Sequence, residues 1–108
     1  MPSSNQNGTQ TATVSTEHTL GSAITTAGTY LLAVDTTNMV AGDVLELRAK
    51  VKILTGGSER LLLIGQFAGA QVDVFKITIP VVSLYSVSFT LKQTSGTSRA
   101  FDWNIISL

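Results

Sequence analysis

Cysteine is absent, so neither a disulfide framework nor a thiolate metal site can form, and stability must come from packing or from association between subunits. Charge is scarce. Asp, Glu, Lys and Arg make up 13% of the chain, against a usual share of roughly a quarter. The seven basic and seven acidic side chains cancel, which argues against a protein that holds nucleic acid by neutralising phosphates, because such proteins are normally basic. No apolar run approaches the roughly 20 residues of a membrane-spanning helix, and no membrane partner is expected. Met1 to Gln10 carries neither the basic nor the apolar part of a signal peptide, so the chain is expected to be made and used without that route of export.

Catalytic groups are as sparse. Nucleophilic or acid–base chemistry needs a nucleophile, a base and an orienting group that converge. The single histidine, His18, lies where the sequence pattern is weakest, and the carboxylates fall mostly at expected turns, where Asp is a normal turn-former. No calcium-loop, His-rich or phosphate-loop spacing occurs; Gly56-Gly57 lacks the strand and helix that a phosphate loop requires. The expectation is a protein that is not an enzyme and uses no cofactor.

What the chain does have is alternation. From Gly42 to Leu54, Leu45, Leu47, Ala49, Val51 and Ile53 interleave with Glu46, Arg48, Lys50 and Lys52, which predicts a long strand with one apolar and one charged face. Val87, Phe89 and Leu91 alternate with Ser88, Thr90 and Lys92 in the same way, and Phe101, Trp103 and Ile105 alternate with Asp102 and Asn104. Tyr30, Leu32 and Val34 share a strand with Leu31 and Ala33, apolar on both faces and therefore central or covered. Val72 to Ile79 reads as a strand stopped by Pro80. With Gly- and Ser-rich turns between them, these segments predict one all-β domain of 108 residues, an antiparallel β-sandwich of jelly-roll type with about seven or eight strands. Residues 1–14 are nearly all polar and are expected to be a flexible arm, either a frayed terminus or an arm along a neighbouring subunit; residues 15–108 are expected to hold the sandwich.

One segment breaks the alternation. Leu61-Leu62-Leu63-Ile64 is apolar throughout, so in any register aliphatic side chains share the face of Arg48, Lys50 and Lys52. An odd-length turn places Leu62 and Ile64 there, and an even-length turn places Leu61 and Leu63. Arg48, Lys50, Lys52, Leu62 and Ile64 are the expected partner or subunit contact, unless a second sheet or a loop covers that face. Nucleic acid is not the expected partner, since single-strand binders interleave such charge with aromatic platforms and this stripe has none. Trp103, in phase with Phe101 and Ile105, is expected in the core; paired with Tyr85 or Tyr30 on the surface it would instead suit stacking on sugar rings.

Thr26-Ala27-Gly28-Thr29-Tyr30-Leu31-Leu32-Ala33-Val34-Asp35, followed by Met39-Val40-Ala41-Gly42-Asp43-Val44-Leu45-Glu46-Leu47, resembles small jelly-roll or β-sandwich virion proteins of tailed bacteriophages. The ending Leu91-Lys92-Gln93-Thr94-Ser95-Gly96-Thr97-Ser98-Arg99-Ala100-Phe101-Asp102-Trp103 is similar to the ends of such chains. The resemblance implies a structural protein of the particle, made in the host cytoplasm and located in the virion. Its expected role is a capsid decoration or cement protein that binds the major capsid protein or another virion protein as a homo-oligomer, typically a trimer. The alternative is a receptor- or carbohydrate-binding virion domain, in a head fibre or a tail component. No family functional residue carries over, because such proteins act through surfaces that vary.

Overall fold

The computed structural model describes residues 3–108, with the backbone alone at Leu63 and Ile64. Its strands are β1 (Ser3–Thr11), β2 (Glu17–Ile24), β3 (Gly28–Asp35), β4 (Val44–Val51), β5 (Arg60–Ala68), β6 (Phe75–Ile77), β7 (Val81–Ser83), β8 (Val87–Ser95) and β9 (Ala100–Ser107), and no helix occurs among the described residues. β1 pairs with β9, β2 with β8, β3 with β6 and β7, and β4 with β5, all antiparallel. That is one long antiparallel ribbon whose tip is the β4–β5 hairpin. Wound on itself and joined by β3–β9 and β4–β8 pairing, the ribbon gives a five-stranded sheet ordered β1-β9-β3-β6, with β7 also on β3, and a four-stranded sheet ordered β2-β8-β4-β5. This all-β sandwich is a jelly roll, with β6 and β7 as the two halves of one interrupted strand.

Alternation decides which face is buried. Leu45, Leu47 and Ala49 on β4, Val87, Phe89 and Leu91 on β8, Leu20 and Ile24 on β2, Tyr30, Leu32 and Val34 on β3, and Phe101 and Ile105 on β9 form the core between the sheets. Within the four-stranded sheet these inner positions are cross-strand neighbours, Ala49 opposite Phe89 and Leu47 opposite Leu91. Trp103 is half-buried against this core, and its ring lies 3.4 Å from where a Cβ at Gly8 would sit, so the glycine lets β1 pass close over the indole.

The interruption between β6 and β7 has a visible cause. Pro80 cannot donate to a ladder, and the chain departs from β3 just before it. Thr78 bridges the gap, donating its N–H to Leu32 O (2.9 Å) while its hydroxyl accepts from Leu32 N–H (3.0 Å). The strand expected over Val72 to Ile79 is therefore confined to Phe75–Ile77, and Val72 is almost fully exposed. The strand expected to reach Leu54 ends at Val51, and Ile53 and Leu54 stand exposed at the hairpin tip.

The expected flexible arm 1–14 and the sandwich boundary at residue 15 are corrected. Ser3–Thr11 is an edge strand of the sandwich, in register with β9 from Ser3 opposite Ser107 to Thr11 opposite Ala100, with one bulge between Ser4 and Gln6. The ladder is made by the backbone, which polar side chains supply as well as apolar ones. Side chains then fasten it: Gln6 accepts from Ser22 N–H (2.8 Å) and donates to Ser22 O (3.2 Å), tying β1 to β2 across the open edge of the sandwich.

Candidate functional site

The charged side of β4 lies on the outer face of the four-stranded sheet, and its cations are already engaged. Arg48 donates to Glu46 and stands 3.6 Å from Glu17 on β2, while Lys50 Nζ lies 3.3 Å from the other Glu17 oxygen. Thr90 on β8 donates its hydroxyl to Glu17 at 2.7 Å. Burial raises the Glu17 pKa, but the Thr90 hydroxyl, Lys50 and Arg48 together outweigh it and hold the carboxyl below its ordinary range. These side chains are only 15% to 39% exposed, so the attraction within each pair is offset by the water the charges give up. Their effect here is to neutralise the stripe.

The expected contact set is thereby divided. Arg48 and Lys50 do share a face, whereas Lys52 lies past the end of β4 and donates its N–H to Ser86 O (3.2 Å). Leu62 does not join them: it pairs with Ala49, whose side chain is in the core, so Leu62 points to the inner side at the sheet edge. Leu61, opposite Lys50 and 55% exposed, takes the place expected of Leu62. Leu47 pairs with Gly65 and Arg48 with Leu63, so Ile64 falls at a β-bulge; its side chain lies outside the described residues.

The exposed apolar residues collect elsewhere. β5 and the broken β6–β7 strand are the edges of the two sheets on one side of the sandwich, brought together where Lys76 Nζ sits 5.1 Å above the Phe67 ring. Along that side Ile77, Ile79, Val82 and Leu84 on or next to β6 and β7 stand between 54% and 63% exposed, and Leu61 and Leu62 are exposed on β5. At the hairpin tip Ile53, Leu54 and the Gly57–Arg60 turn enclose an apolar cup of about 220 Å³. Sequence reasoning located the Leu61–Ile64 part of this edge by its lack of alternation. It missed the β6–β7 part, because short apolar segments around Pro80 look the same whether their second face is covered or bare.

No cluster of three or more His, Asp or Glu side chains that could hold a metal occurs among the described residues. The arrangement is a polar, internally paired outer face on the four-stranded sheet and an apolar edge with open backbone groups on β5 and β6. Comparison with known proteins returns no match, whether to a family model, a curated protein or a solved structure.

Proposed function

We propose that this protein is a non-enzymatic structural component of a phage virion that binds and stabilises the capsid surface as a decoration or cement protein. It meets the major capsid protein or another virion protein, and its own copies in a homo-oligomer, through the β5–β6–β7 edge. The observation that carries this reading is the concentration of exposed aliphatic side chains on that one edge, which a monomer in water would leave as a liability for uncontrolled strand pairing. The resemblance of Thr26 to Asp35, Met39 to Leu47 and Leu91 to Trp103 to virion jelly rolls supports an assembly of that kind. Burying two Leu-sized side chains contributes roughly 3 to 6 kcal/mol before the entropy lost on association, and a symmetric oligomer multiplies it.

The test is assembly. The protein is expected to co-purify with intact heads in many copies, and Ile79→Asp or Val82→Asp is expected to weaken particle binding or self-association at least about tenfold. Both positions are 63% exposed, so the far-ultraviolet β spectrum should survive the change. Lys50→Ala removes a cation already engaged with Glu17 and is expected to leave binding unchanged. Sedimentation and particle pull-down read all three variants. Unaltered assembly by both Asp variants, or absence of the protein from purified heads, overturns the reading.

A further inference from the structure

The outer face of the five-stranded sheet carries a shallow groove of about 510 Å³ that reaches the β6 margin only at Phe75. It crosses the strands, because the residues that line it are cross-strand neighbours. Thr9, Asp102, Asp35 and Phe75 lie in register on β1, β9, β3 and β6. In the adjoining row Asn7 faces Asn104, and Asn104 faces Ala33. Four strands at a spacing near 4.8 Å make this line about 14 Å long. Ala33, buried and the smallest side chain of this row, forms the floor between Asn104 on β9 and Ile77 on β6.

The polar groups in the groove are held in place by one another and by Thr37 and Ser4 outside it. Thr9 Oγ1 donates to Asp102 Oδ1 at 2.6 Å, and Thr37 donates both its N–H and its hydroxyl to Asp35 Oδ1. Ser4 Oγ donates to Asn104 Oδ1 (2.9 Å) and accepts from Asn7 Nδ2 (3.1 Å). Each bond fixes one atom of a carboxylate or amide. The second oxygens of Asp35 and Asp102 and the Nδ2 of Asn104 have no hydrogen-bond partner among the described residues. Beside them the Phe75 ring is 61% exposed.

The geometry points to this groove as a binding site for a neutral hexose oligosaccharide. Fixed carboxylate oxygens accept sugar hydroxyls, the Asn104 amide donates to a ring or hydroxyl oxygen, and the Phe75 face takes the apolar C–H side of a pyranose. Anionic ligands are disfavoured, because Asp35 and Asp102 stand directly opposite one another on the same face. An apolar protein surface is disfavoured too, since it would strip water from two carboxylates and return no hydrogen bonds. A sugar brings its own donors. The groove crosses four strands and is longer than one ring, which selects a chain of sugars over a monosaccharide. Phe75 is shared with the β6 margin, whereas Asp35, Asp102 and Asn104 lie inside the sheet on β3 and β9, so variants at Asn104 and at Ile79 separate this site from the assembly edge.

The test is a titration of the ¹⁵N-labelled full chain followed by amide chemical shifts. The probes are the neutral oligosaccharides maltoheptaose, mannotriose, cellotetraose and galactotriose, with a sialic acid oligomer as the anionic control. At least one neutral probe is expected to shift the amides of Asp35, Phe75, Asp102 and Asn104 at millimolar concentration. Phe75→Ala and Asn104→Ala should each weaken that binding at least about tenfold while the spectrum stays dispersed, and Ile79→Asp should leave it intact. If none of the four probes moves these amides, if the sialic acid oligomer binds as well as the best neutral probe, or if both groove variants bind like the parent, the assignment is overturned.

Discussion

Removing residues 1–11 is expected to destabilise the domain by at least about 3 kcal/mol, since a net hydrogen bond is worth roughly 0.5–1.5 kcal/mol and β1 supplies a whole ladder of them. The loss is more than an edge. Without β1, β9 becomes the sheet margin, the Gln6 bridge to Ser22 disappears, and the backbone at Gly8 no longer covers the indole of Trp103. Ala12, fully buried where the chain leaves β1, loses the strand that leads into it. Urea denaturation followed by Trp103 fluorescence measures the change in midpoint, and the native emission of the shortened chain should move to longer wavelength. An unchanged midpoint would return the segment to the status of a frayed terminus.

That segment shows where sequence patterning stops being informative. β4, β8 and β9 were legible because one of their faces is apolar, and the period of two in Leu45-Leu47-Ala49, Val87-Phe89-Leu91 and Phe101-Trp103-Ile105 records it directly. β1 has no apolar face. Its inner positions are Gln6, which bridges to β2, Gly8, which admits the tryptophan ring, and Gln10, so its place in the sheet depends on backbone bonds and a side-chain amide that carry no hydrophobic period. β6 and β7 were hidden differently: Thr78 substitutes a hydroxyl for a ladder group, and no pattern of apolar residues announces such a substitution.

The candidate contact surface was legible in part for similar reasons. The absence of alternation in Leu61 to Ile64 located the edge strand, but the choice between Leu61 and Leu62 rests on turn length and on a bulge at Ile64, and neither leaves a mark in composition. Glu17, which with Glu46 balances Arg48 and Lys50, comes from a strand that only the wound ribbon brings near β4, across β8. The groove on the other sheet depends on the same winding. Thr9, Asp35, Phe75 and Asp102 come from four strands, and only the β1-β9-β3-β6 order lines them up.

Asp43→Ala is expected to cost about 2 to 4 kcal/mol, because each unsatisfied buried donor costs roughly 1–3 kcal/mol and this carboxylate serves several. Only 1% exposed, it accepts from Val40 N–H (3.0 Å), Thr97 N–H (3.1 Å) and Arg99 Nε (2.9 Å). It thus joins the turn before β4 to the loop between β8 and β9. The buried Gln93 organises that loop from its other side, donating to Ser95 O and Thr97 O and accepting from Arg99 N–H. Gly96 has φ +93°, and a Cβ there would lie 2.0 Å from Asp43 Oδ1 and 2.8 Å from its Cα, so Gly96→Ala should damage the same joint while leaving the charge in place. Burial raises the Asp43 pKa, but the two N–H groups and Arg99 outweigh it and hold the carboxyl below the ordinary aspartate value of 3.8. A pKa depressed by folding adds stability that is complete above the unfolded value and is lost as pH falls through the folded one. Stability of the parent should therefore decline below about pH 4, the unfolded aspartate range, whereas Asp43→Asn, less stable at neutral pH, should show a shallower decline over the same interval. Urea midpoints measured from pH 7 down to pH 2 compare the two chains. Parallel curves would mean that Asp43 contributes nothing to the acid limb and that its bonds to Val40, Thr97 and Arg99 do not favour the charged form.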